Sequence, residues 1–150
     1  MSLDRFLQAQ EQGGSYERAL AELKAGRKTG HWIWWVFPQL KGLGTSENST
    51  YYGLADEAEA RAYIQHTVLG QRYCDCVKVL YTQFFVNRKT PIELMGSQID
   101  VIKLRSSLEL FMRHARNAHD IRGRIMMLVK IEMILKEKLD WNDSAKNSES

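Results

Sequence analysis

Cysteine and proline are scarce, with two of each in 150 residues. Two thiols, Cys74 and Cys76, cannot build the disulfide framework of a small secreted domain. Two prolines, Pro38 and Pro91, leave long stretches in which helix can run uninterrupted. The longest apolar run covers the six residues 32–37, against the ~20 needed to cross a bilayer. Residues 1–14 are polar, carry Asp4, Arg5 and Glu11, and lack the apolar stretch of a secretory signal. Nor is one sign of charge in excess: Lys plus Arg is 21, Asp plus Glu is 18, and the net charge is +3. That excludes a uniformly basic nucleic-acid binder and an acidic solvating chain. These absences predict a soluble, cytoplasmic protein with no membrane segment, its thiols safe in a reducing compartment.

The positive surplus is local. Residues 97–138 hold 9 basic and 5 acidic side chains, and residues 139–150 hold 1 and 3. A basic stretch of this kind either attracts an anion or is a solvated helix face. Nucleic-acid binding through it is the least favoured reading, because the net charge is small.

Apolar residues make up 44% and charged residues 26%, the mix of a globular chain rather than a disordered one. Helical spacing dominates and no long Val/Ile/Thr alternation occurs. The chain therefore reads as all-α: a compact single-domain bundle of about six to seven helices, several short, packed orthogonally. The domain is expected over 1–140, with a frayed polar tail at 141–150.

Local signals place the elements. A first helix is expected over 3–10, with Ser2 as cap, broken by Gly13 and Gly14. Ser15 is expected to cap a second helix whose apolar face is Tyr16, Ala19, Leu20 and Leu23, and Gly26 occupies the position after its end. Residues 31–37 read as a short buried helical turn stopped by Pro38, and 41–50 as loop. Asp56 with Glu59 is a capping box for a helix to about 66. A longer helix follows over 68–85. Thr90-Pro91 starts a short helix ending at Gly96. Residues 100–116 form the clearest amphipathic helix, through Val101, Leu104, Leu108, Phe111 and Ala115. A last helix is expected over 123–139.

Several compound motifs belong together. They are Asp4-Arg5-Phe6, Ala19-Leu20-Ala21-Glu22-Leu23, Gly26-Arg27-Lys28 and the run from His31 through Trp32, Trp34, Trp35, Phe37 and Pro38 to Leu40. Tyr52-Gly53, Glu59-Ala60-Arg61-Ala62-Tyr63 and Lys103-Leu104-Arg105-Ser106-Ser107 continue the series. Over roughly residues 4–111 the chain resembles the domain of unknown function 1810 (DUF1810) family of small bacterial proteins. The resemblance implies an all-helical fold and carries no established activity. It centres attention on the segment around His31.

Three constellations are candidates for a site. Arg27, Lys28 and His31 follow a helix end. A guanidinium, an ammonium and an imidazole together suit a phosphate or carboxylate, and His31 is the candidate catalytic acid or base. Their structural alternative is that the two cations satisfy the last helical carbonyls. Lys103, Arg105 and Ser107 form the second set. Helical spacing puts Lys103, Ser107 and His114 along one edge of the apolar stripe, Arg105 on the other, and Ser106 pointing away. Those residues either hold an anion or form a boundary helix with a snorkelling lysine. A lysine–serine nucleophile pair is the sharper form of this reading. The aromatics Trp32 and Tyr52 supply an apolar wall, with core anchoring as the alternative. Cys74 and Cys76 diverge by about 200° on a helix and cannot share a metal. No metal, cofactor or Walker, Rossmann or nucleophile-elbow motif is indicated.

The leading expectation is a basic and aromatic cleft in which Arg27, Lys28 and His31 meet Lys103, Arg105 and Ser107. It would bind a nucleotide-, phosphate- or ADP-ribose-like small molecule, with hydrolysis through His31 as its catalytic extension. The alternative is a non-catalytic protein–protein interaction module. The sequence does not fix an oligomeric state.

Overall fold

The computed structural model describes residues 2–115 and, beyond them, the helical residues Lys130, Ile131, Ile134 and Leu135. The rest of the helix expected over 123–139, His119 and the tail 141–150 lie outside the described residues. So does much of the basic stretch 97–138. The order is α1 (Asp4–Glu11), a 3-10 turn (Gln12–Gly14), α2 (Ser15–Ala25), α3 (Ile33–Val36), α4 (Glu47–Tyr52), α5 (Glu57–Gln65), α6 (Thr67–Tyr81), a π turn (Thr82–Val86), α7 (Pro91–Met95) and α8 (Gln98–Ala115). The fold is all-α. Among the described residues no strand occurs, and one isolated bridge, Leu40 to Leu54, closes the 41–53 loop. Among them too, no helix is long and apolar enough to cross a membrane.

The helix ends follow local chemistry. Gly26, at φ 89°, ends α2 in the left-handed conformation, and Arg27 N–H reaches back to the Glu22 carbonyl. That 6→1 bond marks a Schellman end. Thr90 accepts from Glu93 N–H to start α7, with Pro91 in the first turn. Asp56 caps α5 by accepting from Glu59 N–H. The Ser15 expectation is corrected: Gly14, at φ 68°, is the cap of α2, and Ser15 is already helical. The Ser15 hydroxyl instead accepts from the Trp35 indole N–H at 2.7 Å. The loop expected over 41–50 is also corrected at its end, because Ser46 accepts from Ser49 N–H and starts α4. His66 ends α5 and starts α6, its Nδ1 accepting from Val68 and Leu69 N–H at 3.1 and 3.2 Å.

Two polar clamps pin the helices. Buried Gln83 donates to the Leu23 and Lys24 carbonyls at 2.7 and 2.9 Å, covering the end of α2 from the π turn. Arg5 uses its whole guanidinium. Nε donates to the Tyr51 carbonyl, Nη1 to the Ser2 carbonyl, Nη2 to the Gly53 carbonyl at 3.1 Å and to Glu59 Oε1 at 2.6 Å. This ion pair is almost fully buried and ties α1 to α4 and α5.

The apolar core runs through α1, α2, α5, α6, α7 and α8. Val101, Leu104, Leu108 and Phe111 are the buried face of α8. Phe111 lies 4.6 Å from the Tyr73 ring and 5.3 Å from Tyr63, and Phe6 meets Tyr63 edge-on at 5.1 Å. Burial pushes the Tyr16, Tyr63 and Tyr73 phenols above their ordinary 10.0 and the Cys76 thiol from 9.0 up to about 12. The sign follows directly. Each group keeps its proton longer when folded than when unfolded, so its stabilisation is complete below the unfolded value and lost above it. Stability is expected to fall as pH rises from 9.0, first through Cys76 and from 10.0 through the phenols. Urea midpoints on either side of that window check this, with an unchanged midpoint as the contrary result.

Candidate functional site

A hollow of about 520 Å³ with polar walls opens between α2 and the 30–35 segment. Its floor and walls come from Ala9 of α1, the Gln12–Gly13 turn, Ser15, Arg18 and Glu22 of α2, Gly30, His31, Trp32, Trp35 and Tyr52. The left-handed Gly13, at φ 60°, turns the chain at its rim. Arg18 and Glu22 are four apart and so share one face of α2.

Glu22 organises the segment after α2. Once Gly26 has reversed the chain, Thr29 N–H and Gly30 N–H both donate to Glu22 Oε1, at 2.6 and 2.8 Å. The Trp32 indole N–H adds a third bond to the same oxygen at 3.0 Å. Partial burial raises the carboxyl pKa, but the Gly30 and Thr29 amides and the Trp32 indole outweigh it and hold the pKa below the ordinary carboxylate value. The Thr29 side chain adds a further hydrogen bond to the carboxylate. Oε2 lies beside Gly30, where an added Cβ would sit 3.3 Å from it and 2.9 Å from Trp32 Cδ1.

Arg18 and His31 are exposed and have no ion-pair or hydrogen-bond partner among the described residues. Arg18 does not pair with Glu22. The aromatic wall is fixed from behind. Trp35 donates to Ser15, its carbonyl accepts from Gln10 Nε2 at 2.8 Å and from the Tyr63 hydroxyl at 3.3 Å, and its ring meets Tyr52 at 5.2 Å.

The structure distributes the eight residues singled out in the sequence. His31, Trp32 and Tyr52 line the cleft together. Lys28 is buried behind Trp32, donates to the Gly30 carbonyl at 2.6 Å and pairs with Asp100 at 2.8 Å. Its charge is spent on holding the 28–30 segment against α8. Arg27 is exposed just past Gly26, away from the lining residues. Lys103 lies across α3 from the cleft, against the Trp34 ring. Arg105 pairs with Glu109 at 3.0 Å. Ser107 is fully buried and hydrogen-bonds the Tyr73 hydroxyl at 3.0 Å.

The helical-wheel reading of α8 is therefore corrected. Ser107 joins the core, where the Tyr73 hydroxyl reaches it, and Ser106 is the serine that shares a hollow with Lys103. His114 is buried and pairs with Glu57, which Arg113 also contacts. Among the described residues no group of three His, Cys, Asp or Glu side chains is placed to hold a metal. Arg18 and Glu22 are the cleft residues the sequence reading missed. On an isolated helix they look like an ordinary exposed pair, and only their four-residue spacing on the face opposite Tyr16 hints at a shared role.

Comparison with known proteins places this geometry. The family described as "Protein of unknown function (DUF1810)" matches residues 1–130. A crystal structure of a conserved hypothetical protein from Mycobacterium tuberculosis is similar at 38% identity, with a TM-score of 0.72, covering 86% of this chain and 83% of that one. No curated protein matches.

Proposed function

The chain belongs to the DUF1810 family of proteins of unknown function, and from that premise we propose that its α2–α3 cleft binds a small anionic molecule of nucleotide, sugar-phosphate or ADP-ribose type. The observation that carries this reading is a guanidinium, Arg18, and an imidazole, His31, both without a partner among the described residues, in one 520 Å³ hollow with three aromatic side chains. Arg18 and His31 suit the anionic group. Trp32, Trp35 and Tyr52 suit a planar base. The Glu22 carboxylate at the wall suits a ligand hydroxyl, because a carboxylate held ionised accepts and does not donate.

Chemistry on such a ligand would run through His31 as proton carrier. Glu22 is the sole carboxylate among the lining residues, so the paired-carboxylate route to glycoside cleavage finds no second member there. The non-catalytic interaction module is the second reading, favoured by the exposed apolar side chains of Tyr51, Val68 and Val86.

A thermal-shift and calorimetric panel of AMP, ADP-ribose and a sugar phosphate tests the proposal. A member of the panel should raise the melting temperature, and Arg18→Ala should weaken its binding on the order of 10–100-fold, as expected for a lost charged hydrogen bond. The same variant should melt like the parent, since Arg18 is exposed and unpaired. Lys28→Ala should instead lower the melting temperature. A panel without any shift, or an Arg18→Ala variant that binds like the parent, rejects the anion site.

A further inference from the structure

On the far side of α3 a second hollow of about 460 Å³ opens between the 43–49 segment and α8. Lys103 lines it with its Nζ 3.7 Å from the centre of the Trp34 ring. The lysine side chain is 22% exposed, and its one charged neighbour of opposite sign, Asp100 Oδ1, stands at 3.9 Å, beyond hydrogen-bond reach. No hydrogen bond reaches Nζ among the described residues. The other oxygen of Asp100 is taken by Lys28 at 2.8 Å. Two ammonium groups thus share one carboxylate, and one positive charge is left over at the wall of the hollow. Burial lowers the Lys103 pKa, Asp100 raises it in part, and Lys28 lowers it again. The ammonium is thus only partly compensated, by a carboxylate it shares with Lys28 and by the Trp34 ring.

The rest of the lining has a different character. Leu43, Ile99 and Ile102 are 63%, 66% and 49% exposed, and they ring the same hollow. Scattered apolar residues on a surface need no explanation, but three around one partly compensated cation form an amphiphilic patch. We propose that this hollow is a second binding site, for an aliphatic carboxylate whose head meets Lys103 and whose chain lies on Leu43, Ile99 and Ile102. One spare monovalent cation matches a monovalent head, whereas a phosphate site would call for a second free cation or an arginine fork. Three apolar side chains at the rim of an open hollow also make a small patch beside the ~1,200 Å² that a stable protein interface buries. The site is separate from the α2–α3 cleft and does not depend on the reading given for it.

Octanoate titrated against the full chain tests this, with octanol, acetate and inorganic phosphate as comparisons. Octanoate should raise the melting temperature saturably, and the three comparison compounds should do so far less. Lys103→Met keeps an apolar stem without the charge and should weaken octanoate binding at least tenfold. Arg18→Ala should leave it unchanged. If Lys103→Met fails to fold, the parent protein still decides. Calorimetry at alkaline pH in buffers of different ionisation heat should show proton uptake on binding, because an anion restores the charged lysine. Octanol matching octanoate would reduce the hollow to an apolar contact and overturn the proposal. Phosphate matching octanoate, or binding without proton uptake, would also overturn it.

Discussion

Replacing Arg5 with alanine is expected to cost about 3–5 kcal/mol of folding stability, the range for removing one partner of a buried ion pair. At this chain length that is a fall in melting temperature of roughly 6–20 °C. The cause is what stays behind. Glu59 keeps its carboxylate in a nearly buried place, and the carbonyls of Tyr51 and Gly53 lose their donors. Burial raises the Glu59 pKa, and the Arg5 hydrogen bonds and the Ala55 N–H outweigh it and hold it low. Without the arginine the burial effect takes over. Arg5→Lys should recover little, because one ammonium cannot span three carbonyls and a carboxylate. Combining Arg5→Ala with Glu59→Ala should cost less than the sum of the single changes. Urea unfolding of the four proteins measures this, and a loss below about 1 kcal/mol for Arg5→Ala would mean the pair behaves as a surface bridge. The change should also weaken binding of the proposed cleft ligand, since Tyr52 stands between Tyr51 and Gly53, two of the three residues whose carbonyls Arg5 holds.

Gly70→Ala should lower stability by about 3 kcal/mol or more, at the upper end of the overpacking range. Helix propensity alone argues the other way, since alanine gains about 1 kcal/mol over glycine inside a helix. Sterics decide the sign. A Cβ on Gly70 would lie 2.2 Å from the Ile64 carbonyl oxygen and 3.1 Å from its carbon. Both are backbone atoms, which cannot swing aside as a side chain does. Relief would require opening the α5–α6 joint, where His66 alone separates the two helices. That movement would strain the 2.8 Å bond from Gly70 N–H to the His66 carbonyl and both caps on the His66 ring. Denaturant midpoints settle it, and an unchanged or raised midpoint would contradict the close approach of these helices.

Much of the fold could be read from residues that act locally. Gly26 and Gly96 end their helices because each takes a positive φ at a chain reversal. Thr90 and Asp56 carry cap chemistry that needs no distant partner. The capping box at Asp56 was only half legible, since Glu59 does not return to Asp56 but accepts from Ala55 N–H and from Arg5, 54 positions away. α4 escaped notice because its run, Glu47–Tyr52, is polar and short, and packing rather than periodicity makes it helical. The start of α6 was obscured for another reason. Its cap is a histidine ring, outside the usual set of serine, threonine, aspartate and asparagine.

The candidate site was legible in part. His31, Trp32 and Tyr52 stood out as chemistry-bearing side chains in an aromatic segment. Lys28 stood out equally and serves another end, because Asp100, 72 positions along the chain, comes to meet it. Arg18 and Glu22 could be recognised only after the reversal at Gly26 had brought residues 29–32 back over α2. The wheel placed Ser107 beside Lys103. The structure buries it against the Tyr73 hydroxyl, and a wheel drawn for one helix says nothing about which neighbour covers each edge.

Three hydrogen bonds hold Trp35: one from its indole to Ser15, and two to its carbonyl, from Gln10 and Tyr63. Such bracing is expected to hold the aromatic wall in place when the proposed ligand is offered. Crystals grown without a ligand should accept it by soaking, with no cracking of the lattice. Its arrival in solution should then be limited by diffusional encounter rather than by rearrangement of the protein.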